Sequence, residues 1–170
     1  DAIVFPMVKN ADEAEALLAQ TLYPPVGKRG CGPKSSVKWG IDDELEYYAK
    51  GSFDMCRFIQ IEQKSAIDDI ERIAELEYLD GCILGLFDLS GSIGKPGEVW
   101  EDENIKMVKH AVEVLKKHNK SIGISFGSYD VETLRKIDEL GRIVIPKEMR
   151  KALELSPKDE LEFYVEDGNI

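Results

Sequence analysis

At 170 residues the chain has room for one core of ordinary size, or for one medium and one small domain. Its 43% hydrophobic and 32% charged content is that of a soluble globular sequence, and no apolar run reaches the length of a membrane span, so a cytoplasmic protein with no membrane partner is expected. The net charge of −11 argues against nonspecific nucleic-acid binding by the molecule as a whole.

From Ala2 to about Phe126 short apolar runs alternate with amphipathic helix patterns, the signature of repeated β-α units around a parallel sheet. "AIVFPMV" predicts a strand. Asn10 then caps a helix over "ADEAEALLAQ", with Glu13 placed to reach back to the cap. "YPPVGKRGCGP" is a long Gly- and Pro-rich turn, and "DDELEYYAKG" predicts a short helix after it. "MCRFIQIE" is β-branched and aromatic enough for a buried strand. From Ser65 one helix is expected, with Ile67, Ile70, Ile73 and Ala74 turned to the sheet and Glu77 at the same spacing. "LDGCILGLFDLS" predicts a third strand. Asp102 to Lys117 predicts a third sheet-packing helix with Ile105, Val108, Val112 and Leu115 inward, and "KSIGISF" a fourth strand. Such β-α steps fit a barrel or an open doubly wound sheet, both with right-handed crossovers.

After Tyr129 the pattern changes. "TLRKIDELGRIVIP" predicts strand, turn, strand, Pro146 opens a helix over "PKEMRKALEL", and "DELEFYVEDG" alternates as a half-buried strand ending in an Asp-Gly turn. A domain boundary is placed near residues 128 to 134, dividing the chain into 1–130 and 131–170. Charge is also segregated here: Arg135 to Lys151 holds six Lys/Arg against three Asp/Glu, and Glu154 to Asp167 six acids against one lysine. A local basic face is therefore compatible with an acidic chain. The first residue is Asp1, with no leader pattern, which reads as a processed or trimmed piece.

Cys31, Cys56 and Cys82 lack the paired spacing of a zinc site and read as buried or incidental thiols in a reducing compartment. With only His110 and His118, both in a charged helical stretch, a histidine-rich metal site or a Ser-His-Asp triad is not expected. Any metal would be held mostly by oxygen. In parallel α/β sheets ligands bind beyond the carboxyl ends of the strands. Glu62 ends "FIQIE", Asp88 ends "CILGLFD", and Gln60 shares a strand face with Glu62. Two carboxylates and an amide suit Mg²⁺ or Mn²⁺, whose chemistry is polarisation of a bidentate keto acid and stabilisation of an enolate. The alternative is that both acids merely interact with exposed N–H groups at helix starts and loops.

"VFPMVKNADEAEALL", "YPPVGKRGCG", "IQIEQKSAIDDIERIAELEYLDGCILGLFDLSGSIGKPG" and "GISF" together resemble the HpcH/HpaI family of metal-dependent class II aldolases, over residues 1 to about 130. The Q-x-E strand end, the D-L-S loop followed by S-x-G, and the Y-P-P-x-G-x-R-G turn occur in the family's order. The resemblance implies a partial TIM-type (β/α) barrel and a lyase, with Glu62 and Asp88 as ligands of a divalent cation, Mg or Mn. It further implies that Gln60 touches a bound pyruvate or other 2-keto acid, that the backbone around Phe87 lines its carboxylate, and that the Tyr23 to Gly32 loop flanks the site. Lys28 and Arg29 in that loop meet an acidic substrate or belong to a structural turn. The resemblance starts at the family's fourth strand and ends after its seventh, so the family's base histidine and substrate arginine lie outside it. Where the family loop reads Gly-Pro-x-Asp, this chain has Gly85-Leu86-Phe87-Asp88, with a bulky Phe beside the pyruvate position.

"TLRKIDELGRIVIPKEMRKALELSPKDELEFYVEDG" resembles the AbrB/SpoVT/MazE-type swapped-hairpin domain over residues 133 to 170. That resemblance implies a small C-terminal β-α-β module, dimerisation, and DNA contacts through Arg135, Lys136, Arg142, Arg150 and Lys151. The expectations are therefore an aldolase-like fragment with an appended dimerising module, a DNA-binding or antitoxin-like regulator, or a catalytically inert chimera. A homodimer or higher homo-oligomer is expected, because both the short module and an incomplete barrel leave apolar surface to cover.

Overall fold

The computed structural model describes residues 2–125. In chain order it comprises β1 (Ala2–Phe5), α1 (Ala11–Ala19), α2 (Glu44–Glu46), β2 (Cys56–Ile61), α3 (Lys64–Asp68), α4 (Ile70–Ala74), β3 (Gly81–Gly85), α5 (Leu86–Ser92), α6 (Asp102–Lys117) and β4 (Ser121–Ser125). The expected swapped-hairpin module, its boundary near residues 128 to 134, and its basic residues Arg135, Lys136, Arg142, Arg150 and Lys151 lie outside the described residues.

All four strands are parallel and lie in the order β1-β2-β3-β4, with Phe58 opposite Gly81 and Gly81 opposite Ser121. The two faces of this sheet differ. Ile59, Ile61, Cys82 and Leu84 are buried beneath Ala14 and Leu18 of α1, Ile70 and Ile73 of α4, and Val108, Ala111 and Leu115 of α6. Phe5, Ile122 and Ile124 pack at the margin of that core. Residues of the opposite face remain more accessible: Val4 is 42% exposed, and Phe58, Gln60 and Ile83 are half-buried. A doubly wound sheet reverses its strand order and carries helices on both faces. Sequential order with helices on one face is the geometry of consecutive barrel units, so the barrel reading of the strand pattern is the one the fold adopts.

Local chemistry explains most of the element boundaries. Asn10 Oδ1 accepts the Glu13 N–H at 2.9 Å and caps α1, while the Glu13 carboxylate reaches back one residue beyond the cap to the Lys9 N–H. α6 begins with Asp102 and Glu103 and ends with Lys116 and Lys117, charges that suit its dipole at both ends.

Two predicted elements are corrected. The single helix expected from Ser65 is two five-residue helices broken at Asp69. Asp69 leaves the helical conformation as its carboxylate accepts the Ala11 N–H at the start of α1 (2.8 Å), and Arg72 braces the same carboxylate. Glu77 lies beyond α4 and is exposed. The predicted strand "LDGCILGLFDLS" stops at Gly85, and Leu86–Ser92 is helix, so Asp88 sits in a first helical turn rather than at a strand end. The apolar run continues because α5 buries Leu86 and Leu89, which in sequence look like more strand.

Candidate functional site

β2 alternates buried and half-buried residues, and Gln60 projects to the more open face with Glu62 just beyond the strand end. Both side chains lie over Gly85, the last residue of β3. A methyl carbon at Gly85 would stand 2.8 Å from Glu62 Oε2, 2.9 Å from Glu62 Cβ and 3.2 Å from Gln60 Nε2. Gly85 has a φ of −94°, which any residue adopts, so glycine is required here for space. The expected convergence of Gln60 and Glu62 at the carboxyl end of the sheet is thus present. Nothing in the sequence identified Gly85 as its floor, although an isolated glycine ending an apolar strand is a recognisable sign of close approach.

Glu62 is only 3% exposed. Its Oε1 accepts the Met7 backbone N–H at 2.6 Å, from the loop that follows β1. Burial pushes the Glu62 carboxyl above its ordinary value; the Met7 hydrogen bond pulls it down, and the negative charge of Asp88 pushes it further up. Asp88 itself is exposed in the first turn of α5, and its neighbour Phe87 is 40% exposed. Met7, at φ +57°, carries its half-exposed side chain over the same end of the sheet, where its sulfur lies 3.5 Å from Gln63 Nε2. Sequence reasoning had no signal for Met7.

Among the described residues no three His, Cys, Asp or Glu side chains gather into a metal-binding group. A cation at this end of the sheet would therefore rest on two carboxylates, with water and substrate oxygens completing its shell. The donor set fits Mg²⁺ or Mn²⁺: it is all oxygen, it leaves positions open, and the Asp88 charge raises the Glu62 carboxyl, a repulsion that a cation offsets. The missing side chain at Gly85 leaves room for the Glu62 and Gln60 side chains themselves, which a Cβ there would displace.

α5 is pinned from several sides. Asn104, fully buried, donates through Nδ2 to the Val99 carbonyl (2.9 Å) and the Leu86 carbonyl (3.4 Å). Ser90 Oγ donates to the Phe87 carbonyl (2.7 Å) and accepts the Gly97 N–H (3.2 Å). Ser92 Oγ donates to the Leu89 carbonyl (2.7 Å) and accepts the Lys64 N–H (3.0 Å).

Arg29 is placed among tyrosines. Its guanidinium carbon stands 4.7 Å from the Tyr23 ring centre and 5.8 Å from that of Tyr47, and Nη2 lies 3.5 Å from the Tyr47 hydroxyl. Tyr23 also packs edge-on against Tyr48 at 4.8 Å between ring centres. Burial raises the Tyr23 phenol and the Arg29 charge opposes that rise. The hydrogen bond and ring contacts of Arg29 run to this aromatic cluster rather than to Gln60, Glu62 or Asp88. Lys28 is exposed.

At the opposite end of β2, Arg57 is 3% exposed and donates to Thr21 Oγ1 (2.6 Å), the Met55 carbonyl (2.7 Å) and the Ser52 carbonyl, while its own N–H donates to Asp80 Oδ2 (2.7 Å). Burial lowers the Arg57 pKa against the opposing charge of Asp80. This buried cation fastens the ends of the long 22–55 connection to the sheet.

A family model described as HpcH/HpaI aldolase/citrate lyase matches residues 1–142. A second model, described as antidote-toxin recognition MazE, bacterial antitoxin, matches residues 134–170. The chain is 31% identical over 123 residues to a 2-keto-3-deoxy-L-rhamnonate aldolase from Escherichia coli O6:K15:H31 (strain 536 / UPEC), covering 71% of this chain and 45% of the relative. It thus spans under half the length of that relative. The crystal structure of an HpcH/HpaI aldolase/citrate lyase family protein from Burkholderia cenocepacia J2315 superposes with a TM-score of 0.71 at 23% identity, covering 84% of this chain and 56% of that one. An HpcH/HpaI aldolase from Desulfitobacterium hafniense DCB-2 superposes with a TM-score of 0.68 at 20% identity, covering 80% and 52%. At these identities the two structures speak for the fold, which is of the TIM-barrel type of that family.

Proposed function

The chain belongs to the HpcH/HpaI aldolase/citrate lyase family, and from that premise we propose that residues 1–130 form a divalent-metal site for a pyruvate-type 2-keto acid, used in carbon–carbon bond cleavage or formation. The observation that carries this reading is the buried Glu62 carboxylate, electrostatically coupled to Asp88 at the start of α5, over a glycine floor at the carboxyl end of a parallel sheet. A Mg²⁺ or Mn²⁺ ion held there supplies Lewis-acid polarisation of the keto acid's oxygens.

The chain's own residues divide the remaining work. Glu62 and Asp88 hold the cation, and the Met7 N–H fixes the rotamer of Glu62. Gln60, on the same strand face, presents its amide to a substrate oxygen. The start of α5 around Phe87 borders the keto acid's carboxylate, with the Phe87 ring at the rim of the site.

Thermal unfolding with Mn²⁺ and oxalate, a pyruvate-like chelate, tests the reading. Ligand at about 100 times its dissociation constant adds roughly 2.7 kcal/mol to a competent fold. The parent should gain that stability and Glu62→Ala should not; equal melting in both removes the proposal. Self-association belongs to the same reading, because Val4 and Phe53 remain 42% and 47% exposed. A mass that stays monomeric across concentration in light scattering counts against it.

The match over residues 134–170 favours a second reading, a DNA-binding or antitoxin-like regulator using Arg135, Lys136, Arg142, Arg150 and Lys151. It requires salt-sensitive DNA binding that is lost when Arg142 and Arg150 are changed to Ala. A folded protein that binds neither metal nor DNA would be the inert chimera.

A further inference from the structure

Glu62 and Asp88 arrive on different elements, and one side chain joins the two segments directly. Lys64, two residues past Glu62, donates its N–H to Ser92 Oγ at 3.0 Å; the same hydroxyl donates to the carbonyl of Leu89, one residue past Asp88, at 2.7 Å. We propose that Ser92 is a positioning residue that sets the separation of the two carboxylates, an inference that rests on the metal-site reading above.

Three observations support it. The bond from Lys64 spans 28 residues of chain, so it does more than the local helix back-bond to Leu89. The Lys64 N–H is the first donor of α3 and has no partner within the helix, so its hydrogen bond is the one Ser92 supplies. Glu62 is already tied to the β1 side through Met7, and the Ser92 hydroxyl ties its segment to α5 on the other. Ser90, two residues earlier, also bonds back within α5, but its second bond runs to Gly97 rather than to the Glu62 segment. The link can be cut from either end. Ser92→Ala removes the acceptor. Lys64→Pro removes the donor at the first residue of a helix, where proline is favoured, and behind an extended Gln63, which proline requires.

The test is Mn²⁺ affinity by electron paramagnetic resonance on the full chain, with the exchange rate of the Lys64 amide as a metal-free readout. Ser92→Ala and Lys64→Pro should each weaken Mn²⁺ binding about 10- to 100-fold, the range for residues that orient metal ligands. Because both cut one link, the double variant should bind no more weakly than either single variant. Ser92→Thr, which keeps the hydroxyl, should bind within about threefold of the parent, and the Lys64 amide should exchange faster in Ser92→Ala but not in Ser92→Thr. Unchanged Mn²⁺ affinity in Ser92→Ala and Lys64→Pro, losses that add, or an unchanged Lys64 exchange rate in Ser92→Ala each overturn the inference alone. A parent without Mn²⁺ affinity overturns the metal reading and the inference together. If Ser92→Ala does not fold, Lys64→Pro and Ser92→Thr decide the matter.

Discussion

The Met7 backbone N–H donates to Glu62 Oε1 at 2.6 Å, joining the segments beyond two neighbouring strands across 55 residues of chain. Glu62 is therefore buried with one oxygen held by the backbone and the other turned toward Gly85. A carboxylate kept in this way is a cost to the fold and an asset to a site.

That cost is measurable. The Glu62 carboxyl lies above its ordinary value of 4.5 because of burial first and Asp88 second, against the Met7 hydrogen bond. The native state therefore binds this proton more tightly than the unfolded chain does. The resulting penalty is absent below the ordinary value, develops as pH rises through the raised one, and persists at neutral pH. Glu62→Gln, which keeps an acceptor for Met7, should stabilise the metal-free protein at pH 7.5 by about 1 kcal/mol, or about 2–4 °C. Near pH 4.5 the advantage should shrink. Urea unfolding at the two pH values checks this, and an advantage of the same size at both would contradict it.

Gly85→Ala places its methyl carbon under 3 Å from both Oε2 and Cβ of Glu62. The Cβ is not the far end of a flexible chain, so the β2 end must shift. Destabilisation of about 1–3 kcal/mol is expected from overpacking, together with loss of Mn²⁺ affinity through a displaced carboxylate. Calorimetric titration with Mn²⁺ would read both the affinity and, from the melting of the same sample, the stability. A variant that binds as the parent does would show that the floor is not tight.

Arg57→Met leaves the Ser52 and Met55 carbonyls and the Thr21 hydroxyl without their guanidinium donor. A loss of roughly 2–4 kcal/mol is expected in urea unfolding. Arg57 sits at the opposite end of β2 from Glu62, so Mn²⁺ affinity of the folded variant should stay within about twofold, as distant sites behave independently. A large affinity change with small destabilisation would reverse this assignment.

Asp69→Ala removes the acceptor of the Ala11 N–H and the partner of Arg72. The Arg72 pair is exposed and adds little. The N–H bond at the start of α1 acts as a cap, and its loss should cost about 1–2 kcal/mol. Faster exchange of the Ala11 amide, with the α6 core still protected, would locate the effect; uniform loosening of the core would not fit.

Periodicity and residue type determined the repeated β-α order, the Asn10 cap, the placement of Gln60 and Glu62 on one strand face and, in α6, the burial of Val108, Val112 and Leu115, but not that Ile105 stays outside the core while Asn104, Ala111 and Val114 are buried. These are local properties, written in the alternation of two residues in a strand and the near four of a helix. Tertiary structure decided the rest. The apolar run through Leu86 and Leu89 does not reveal that β3 ends at Gly85, since strand and helix bury the same residues here. The break at Asp69, the burial of Arg57, the grip of Met7 on Glu62 and the Ser92 link all depend on hydrogen bonds between segments 28 or more residues apart, or on groups enclosed by them. Such partners meet only after the sheet has formed, because a donor and an acceptor that distant in sequence have no local pattern to announce them. The sequence therefore carried the residue types of the site, and the assembled sheet determined which of them are buried, braced and brought together.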